Sequence, residues 1–381
     1  MPKTYRIGII GFGMIGKVHA YGYLNLPLLY DPVPLAARIT HVVTGHADTA
    51  EKARQTVGAN VAATDYRAIT ENPDVDIVHI CTPNHRHKEA LLSAMRQQKH
   101  IYCDKPLVAN MAEADEIGAA LKDYRGIAQM TFQNRFFPAT MRAKQLLDAG
   151  SLGQILEFRA TYLHAGSADP EAPLKWKLAA AAGGGVIADL ASHVLDLLDW
   201  LIGPFQSVMA ATRIAYAQRP SPENPAQKVQ VDAEDCVVLL AQMQSGALGT
   251  IGASKIATGS EDDLRVEIHG ARGALRFNSM DPHHLEFYDA TAAAEPLGGS
   301  RGWTHIDTGQ RYPRPATGFP SPKSAMGWIR GHAACLANFL EAIAAGRPAN
   351  PGLEQGIRVQ RLMDCVRRAA AEGRRIEVQG E

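Results

Sequence analysis

A glycine-rich turn near the start of the chain constrains the fold more than any other feature. The turn consists of Gly11, Phe12, Gly13, Met14, Ile15 and Gly16. It follows an apolar stretch with strand character, Tyr5–Ile10, and precedes a helical stretch, Lys17–Leu26. In this context the pattern G-x-G-x-x-G is typical of dinucleotide binding. We expect Gly11 to permit the tight turn, Gly13 to let the backbone approach a pyrophosphate, and Gly16 to allow close packing of helix and strand.

Strands and helices then alternate through the first third of the chain. Further strands are predicted at Ile39–Thr44, Val75–Cys81, His100–Cys103 and Ile127–Phe132. Helices are predicted at Asp48–Thr56, Lys88–Gln98 and Met111–Tyr124. Such alternation predicts an α/β Rossmann domain, a doubly wound parallel sheet covered by helices on both faces. We place this domain at residues 1–134.

The pattern changes after Pro138, and residues 135–381 are predicted to form an α+β domain with a large, mostly antiparallel open sheet. A helix is expected at Ala139–Leu147, and long strands are expected near Gln154–His164, Ser207–Tyr216 and Cys236–Gln244, with hairpin turns at Ser245-Gly246 and Arg272-Gly273. Proline and glycine content predicts long loops at Ala217–Lys228 and Ala292–Pro322. Two helices, Ile329–Ala345 and Leu353–Gly373, and a short strand, Arg375–Val378, complete the chain.

Composition excludes several classes of partner. Lys and Arg number 39, and Asp and Glu also number 39, so no basic surplus exists to bind nucleic acid or an anionic membrane. No apolar run approaches the roughly 20 residues that span a bilayer. The N-terminus lacks the apolar core of a secretory signal, and the five cysteines are scattered without C-x-x-C spacing. We therefore expect a cytoplasmic protein with reduced thiols and no metal.

The end of the second strand bears on the choice between NAD and NADP. NAD-selective sites usually place a carboxylate there to bind the ribose hydroxyls. Here the sequence reads Thr44-Gly45-His46-Ala47-Asp48, with the carboxylate displaced and no adjoining arginine for a 2′-phosphate. Gly45 and His46 are expected to line the cofactor site, and the cofactor is NAD or NADP.

Two further loops follow predicted parallel strands, at the sheet edge where ligands bind. The first contains Thr82, Pro83 and Asn84 and is followed by His87; the second contains Asp104, Lys105 and Pro106. We expect Thr82, Pro83, Asn84, His87, Asp104 and Lys105 to contact the cofactor. A lysine before a proline is, taken alone, also typical of an exposed turn.

A segment in the second half carries a candidate acid–base pair. Asp189 and His193 are four residues apart in an apolar-periodic stretch that follows Gly183-Gly184-Gly185. This spacing places both side chains on one face of a predicted amphipathic helix, and Asp196 extends that face. The same polar residues also suit the solvated stripe of a surface helix.

The order and spacing of these motifs resemble the Gfo/Idh/MocA oxidoreductases, relatives of inositol dehydrogenase and glucose-fructose oxidoreductase. The resemblance implies that Lys105 contacts both the nicotinamide side of the cofactor and the substrate hydroxyl. It also implies that His193 is the general acid/base and that Asp189 contacts substrate or holds the pair. The family motif is Glu-Lys-Pro, so Asp104 departs from it. Trp176-Lys177 resembles a Trp-basic pair found near the cofactor, although Trp176 also suits a hydrophobic anchor.

The resemblance implies an NAD(P)-dependent oxidoreductase. Such an enzyme transfers hydride between nicotinamide and a secondary alcohol or ketone of a sugar, sugar derivative or cyclitol. Two alternatives share the fold: an NAD-dependent glycosidase that regenerates its cofactor, and a non-catalytic dinucleotide sensor. Family habit further implies a homodimer or homotetramer.

Overall fold

The structure, a computed structural model, describes residues 3–312 and 319–378 of the 381-residue chain. The chain divides into two units. The first comprises Met1–Phe136 and Arg311–Gln360, and the second comprises Phe137–Gln310 and Arg361–Glu381. Residues 311–360, which the sequence boundary at 134/135 groups with the second domain, thus belong with the first unit by their contacts.

The first unit contains a six-stranded sheet. Its strands are β1 (Tyr5–Ile10), β2 (Ala37–Val43), β3 (Val61–Ala63), β4 (Ile77–Ile80), β5 (His100–Cys103) and β6 (Ala128–Met130). Their order is β3-β2-β1-β4-β5-β6, and every pair is parallel, which confirms the predicted doubly wound sheet. The strand order reverses between β1 and β4, so the loops after these two strands flank the crevice where dinucleotides bind in such folds.

Helices connect these strands. They are α1 (Met14–Leu29), α2 (Ala47–Val57), α3 (Arg67–Thr70), α4 (His87–Arg96) and α5 (Met111–Leu121). Central strands such as β1 carry fully buried side chains, Ile7 and Ile9, because helices cover the faces of a parallel sheet. The short β3 and α3 were not predicted, since three or four residues leave too little periodicity to detect.

The remaining elements follow in chain order. They are α6 (Pro138–Asp148), β7 (Ile155–Leu163), α7 (Ser192–Ile202), β8 (Phe205–Arg213), β9 (Gln218–Pro220), β10 (Lys228–Gln230), β11 (Cys236–Met243), β12 (Leu248–Ser254), β13 (Asp263–Gly270), β14 (Gly273–Asn278), β15 (His284–Asp289), β16 (Trp303–Asp307), α8 (Trp328–Ala344), α9 (Leu353–Glu372) and β17 (Ile376–Glu377). Nine of these strands form one sheet in the order β16-β15-β14-β13-β7-β12-β11-β8-β17. Only β7 and β12 pair in parallel among the described strands of this sheet, so the prediction of a mostly antiparallel sheet is confirmed.

Two predicted loops were wrong in part. Ala217–Lys228 includes β9, which pairs with β10 in a small separate hairpin. Ala292–Pro322 contains β16, which pairs with β15 and packs Trp303 under the guanidinium of Arg276, 4.0 Å from the ring centroid. Contacts between strands stabilise β16, although the proline and glycine content of the segment predicts a loop. Residues 313–318 of that stretch lie outside the described residues.

One face of the second sheet carries exposed apolar side chains on β8, β11 and β12. Along β11 the side chains of Val237, Leu239 and Ala241 are buried, whereas Val238 and Leu240 are 60% and 58% exposed. Leu240 lies opposite Met209 of β8, and Leu248 of β12 points to the same face. We call Met209, Val238, Leu240 and Leu248 the outer apolar patch.

Helix α8 completes the core of the first unit. Its Leu336 and Phe339 are buried, and the Phe339 ring lies 5.2 Å from the ring of Tyr102 on β5. A Cβ built at Gly22 of α1 would lie 2.7 Å from Leu336, so a glycine is needed where the two helices meet. Within residues 3–312 and 319–378, the helices are too short or too polar to cross a membrane.

Candidate functional site

The glycine turn has the geometry that its sequence predicts. Gly11 has φ +90°, and a Cβ there would lie 2.6 Å from the carbonyl oxygen of Cys81, in the loop after β4. A Cβ at Gly16 would overlap the Gly11 carbonyl oxygen. A Cβ at Gly13 would meet nothing within 4 Å, so this position faces open space at the crevice. The turn therefore leaves room for a pyrophosphate at Gly13, as the motif requires.

The N-terminus of α1 suits a negatively charged ligand. Gly13 is the N-cap residue and supplies no capping side chain, and the first turn contains no acidic residue. The amide groups of this turn have no intrahelical acceptor, and the helix dipole favours an anion there. Phe12 is partly exposed and Met14 is 66% exposed beside these amides. These residues fit a dinucleotide phosphate.

The loop after β2 is open and polar. A Cβ at Gly45 would meet nothing within 4 Å, and His46 is exposed at the N-cap of α2. The Thr44 hydroxyl donates to the His46 carbonyl oxygen at 2.9 Å, which fixes the turn. Asp48 lies in the first turn of α2 and is exposed. This loop offers hydroxyl and carboxylate groups to a ribose and no arginine to a 2′-phosphate.

His87 joins the two loops that follow β4 and β5. Its Nε2 lies 2.8 Å from the Thr82 carbonyl oxygen, and its Nδ1 lies 3.1 Å from the carbonyl oxygens of Pro106 and Leu107. The ring is fully buried. His87 is therefore placed to fix the spacing of the Thr82-Pro83-Asn84 loop and the Lys105-Pro106 loop. Direct contact of His87 with cofactor stays a prediction.

Lys105 is half-buried in the loop after β5. The preceding Asp104 is anchored to β4, because its amide donates to the Ile80 carbonyl oxygen at 2.9 Å. Burial and then the Asp104 carboxylate raise the pKa of the Cys103 thiol, which keeps that neighbouring thiol protonated. A backbone hydrogen bond of this kind does not depend on whether position 104 carries Asp or Glu.

In the second unit, Asp189 lies between two lysines. The Lys177 Nζ is 2.8 Å from its Oδ1, and the Lys255 Nζ is 3.3 Å from its Oδ2. Lys255 is almost fully buried, whereas Lys177 is partly exposed. Two cations offset the cost of burying the carboxylate. The sequence pattern indicates Lys177 only as part of a Trp-basic pair, and it gives no signal for Lys255, which follows β12 far along the chain.

His193 is buried beside an aromatic ring. It lies in the first turn of α7, is 5% exposed, and has its ring centroid 5.8 Å from that of Tyr162 on β7. The Tyr162 hydroxyl donates to Asp262 at 2.7 Å, and burial, with Asp262, raises the pKa of Tyr162 well above its usual value. Asp196 is also buried. The alternative of a solvated surface stripe is therefore wrong for His193 and Asp196.

The helix that carries the pair is not regular. Ile187–Ala191 forms a π-helical turn before α7, so the predicted continuous amphipathic α-helix begins only at Ser192. Gly185 has φ +101°, and the Glu234 carboxylate occupies the space of any Cβ there. The same carboxylate accepts a hydrogen bond from the Ile187 amide at 3.0 Å. Glu234 thus caps the turn that carries Asp189, and wide turns of this kind are frequent at functional sites.

Trp176 begins the segment that supplies Lys177. Its side chain is 37% exposed, and the Lys177 Nζ lies 5.9 Å from its ring centroid. The Lys177 carbonyl oxygen accepts from the Gly185 amide at 2.9 Å, which joins this segment to the glycine triplet. A role for Trp176 at the cofactor stays a prediction.

Comparison with known proteins agrees with both halves of the chain. Residues 5–132 match the model of an oxidoreductase family with an NAD-binding Rossmann fold, and residues 144–378 match that family's C-terminal α/β domain. Levoglucosan dehydrogenase of Pseudarthrobacter phenanthrenivorans is 31% identical over 99% of this chain and 98% of its own length. Inositol 2-dehydrogenase of Rhizobium meliloti is 27% identical over 98% and 99% of the two chains.

A solved structure gives the same picture. A levoglucosan dehydrogenase in complex with NADH and levoglucosan superposes with a TM-score of 0.92 at 31% identity, over 99% of this chain and 100% of that one. With two family models spanning nearly the whole sequence, this chain belongs to the Gfo/Idh/MocA family of NAD-binding oxidoreductases.

Proposed function

We propose that this protein is an NAD-dependent dehydrogenase that oxidises a secondary hydroxyl of a sugar, anhydrosugar or cyclitol, or runs the reverse reduction. The observation that carries the proposal is that His193 is buried and that Asp189, four residues before it in the chain, is held by two lysines. A dinucleotide sensor would have no use for a buried imidazole four residues after an ion-paired carboxylate. Membership of a family with an NAD-binding Rossmann fold supports NAD as the cofactor.

The residues divide the chemistry between them. Nicotinamide, when bound, accepts hydride at its C4 carbon. We propose that the Lys105 ammonium donates to the substrate oxygen and stabilises the charge that develops there. His193 takes the hydroxyl proton as the C–H bond breaks, so that alcohol becomes ketone and the electron pair leaves as hydride.

Asp189 has a supporting role in this proposal. Its carboxylate, fixed by Lys177 and Lys255, is placed to orient a substrate hydroxyl or the His193 ring. Trp176, beside Lys177, supplies an apolar surface suited to the face of a sugar ring or of the nicotinamide.

The substrate class follows from the polar character of these groups. Lysine, aspartate and histidine side chains bind hydroxyl groups rather than apolar surfaces. The similar protein named levoglucosan dehydrogenase and the relative named inositol 2-dehydrogenase support a neutral, polyhydroxylated ring as substrate. We propose NAD over NADP because the loop Thr44–Asp48 carries no arginine for a 2′-phosphate.

A substrate panel tests the proposal. Purified protein is mixed with NAD or NADP and with levoglucosan, pyranoses or inositols, and formation of reduced cofactor is followed by absorbance. We expect substrate-dependent reduction of NAD with at least one ring polyol. Release of sugar from a chromogenic glycoside without net reduction, or cofactor binding without turnover on the whole panel, would instead favour the glycosidase or the sensor.

A further inference from the structure

His332 stands out among the buried histidines of the first unit. It lies one turn into α8, is 5% exposed, and packs against Trp328 with ring centroids 4.3 Å apart. Neither of its ring nitrogens hydrogen-bonds to any residue of the described part of the chain. Since buried polar groups nearly always have partners, a buried ring with two unpartnered nitrogens is suited to bind a ligand.

Two other buried histidines of the same unit, His79 and His41, have protein partners at both ring nitrogens. His79 has the Tyr23 hydroxyl 2.8 Å from its Nε2 and the His19 Nδ1 3.0 Å from its Nδ1. His41 has the Thr40 hydroxyl 2.9 Å from its Nδ1 and the Asn72 amide 3.1 Å from its Nε2. Both rings are thus satisfied on each side. His332 therefore differs from these two histidines, because both of its nitrogens lack a partner among the described residues.

The charges around His332 set its protonation state. Burial is the main cause of a pKa well below the usual value for histidine, and His19 and Lys105 lower it further. The ring is consequently neutral near pH 7. A neutral imidazole offers one N–H donor and one lone-pair acceptor. Lys105, in the loop after β5, is one of the charges that lower this pKa, which is consistent with a position of His332 within electrostatic range of that loop.

We propose that His332 hydrogen-bonds the carboxamide of the bound nicotinamide. A primary amide presents an acceptor oxygen and an NH₂ donor, which complements an imidazole with one donor and one acceptor. Position supports this choice, because Lys105 is the residue proposed to lie at the nicotinamide end of the cofactor. This inference rests on the proposed function, because it depends on the proposed position of Lys105 at the nicotinamide. His332 fixes the orientation of the ring that takes up hydride.

Binding measurements with two ligands test the proposal. ADP-ribose contains every part of the cofactor except nicotinamide, so it reports on the glycine turn alone. For His332→Phe we expect the Kd of NADH to rise about tenfold and that of ADP-ribose to stay within about twofold. His332→Gln, which keeps a donor and an acceptor, is expected to retain most NADH affinity. His41→Phe removes another buried histidine of the same unit and serves as the control, with no selective loss of NADH.

Several results would overturn the inference. Equal weakening of NADH and ADP-ribose would assign His332 a structural role, and unchanged NADH binding with a raised KM for sugar would assign it to the substrate. Should His332→Phe fail to fold, the wild-type protein still decides. Its His332 ring-¹⁵N signals, assigned with His332→Gln, must shift on adding NADH but not ADP-ribose. Absence of any NADH binding would refute the proposed function instead.

Discussion

The Nζ of Lys255 lies 3.3 Å from the Oδ2 of Asp189, and Lys255 is only 3% exposed. Lys177 contacts the other carboxylate oxygen from a position that is 41% exposed. The two lysines thus bind one carboxylate from opposite environments. Their contributions to stability are expected to differ, because solvent screens an exposed pair far more than a buried one.

Replacing each lysine tests this difference. Lys255→Met is expected to lower the free energy of unfolding by about 2 kcal/mol, since it removes the buried partner of a buried carboxylate. Lys177→Met is expected to cost less than about 1 kcal/mol. Urea denaturation of the two variants measures both values. Equal losses, or a larger loss for Lys177→Met, would contradict the larger contribution expected of the buried Lys255.

The glycine turn predicts opposite outcomes for two neighbouring glycines. Gly13→Ala should fold with nearly wild-type stability, because its φ of −74° suits alanine and its Cβ meets no protein atom, yet it should weaken NADH binding about tenfold or more by filling the pyrophosphate space. Gly11→Ala should destabilise the fold by at least about 1 kcal/mol, because φ is +90° and the Cβ meets Cys81. Thermal melts and NADH titrations separate the two effects. Wild-type NADH affinity in Gly13→Ala would exclude close approach of a pyrophosphate.

His193 and Lys105 are both expected to affect turnover, and His193 is expected to do so without affecting cofactor binding. His193→Asn should lower kcat about 10²–10⁴-fold through loss of the acid/base. Lys105→Met should lower kcat about 10²-fold or more by removing the charge that stabilises the alkoxide. Steady-state kinetics measure the losses, and NADH titration of His193→Asn serves as the control. Retention of more than a tenth of wild-type kcat in His193→Asn would remove that residue from the mechanism.

Acid should destabilise the protein through its buried histidines. Burial lowers the pKa of His19 from 6.5 to about 3. The unfolded chain then binds the proton first, so this contribution to stability is complete above pH 6.5 and declines as pH falls from 6.5 towards 3, by up to about 1.4 kcal/mol per pH unit. In His19→Gln the free energy of unfolding should fall less steeply over that window. Parallel curves for both proteins would show that His19 titrates normally in the folded state.

The outer apolar patch predicts self-association. Met209, Val238, Leu240 and Leu248 form an exposed apolar surface on a sheet face, and such surfaces mark interfaces. We expect a homo-oligomer that Leu240→Asp shifts towards monomer, as measured by light scattering after size-exclusion chromatography. Leu24→Lys, at an exposed leucine of α1 outside the patch, is the control. An unchanged oligomer in Leu240→Asp would place the interface elsewhere.

Much of the first unit could be predicted from local patterns. Apolar strands, amphipathic helices and the Gly11–Gly16 turn each depend on neighbours in sequence, and the doubly wound sheet follows from their alternation. The parallel pairing of β7 and β12 could not be predicted in this way. Its register is set by contacts between strands that are distant in the chain.

The candidate site likewise contains residues that local sequence predicts and residues that only the fold brings together. Asp189 and His193 were found because their spacing is local and matches a family motif. Lys255 was missed because a lysine after a strand is usually solvated, and only the fold brings it to Asp189. The π-helical turn at Ile187–Ala191 was missed because it depends on the Glu234 carboxylate, which arrives from another part of the chain.

Residues 311–360 belong to the first unit although they come late in the chain, and this affects folding during synthesis. Tyr102 and Ile77 belong to one buried apolar cluster with Phe339 and Leu340 of α8, near the end of the chain. During synthesis, the first unit cannot complete its apolar core until α8 has emerged from the ribosome. A truncated Rossmann fragment is therefore a poor reagent, and a split or tagged version is better cut elsewhere than at residue 136.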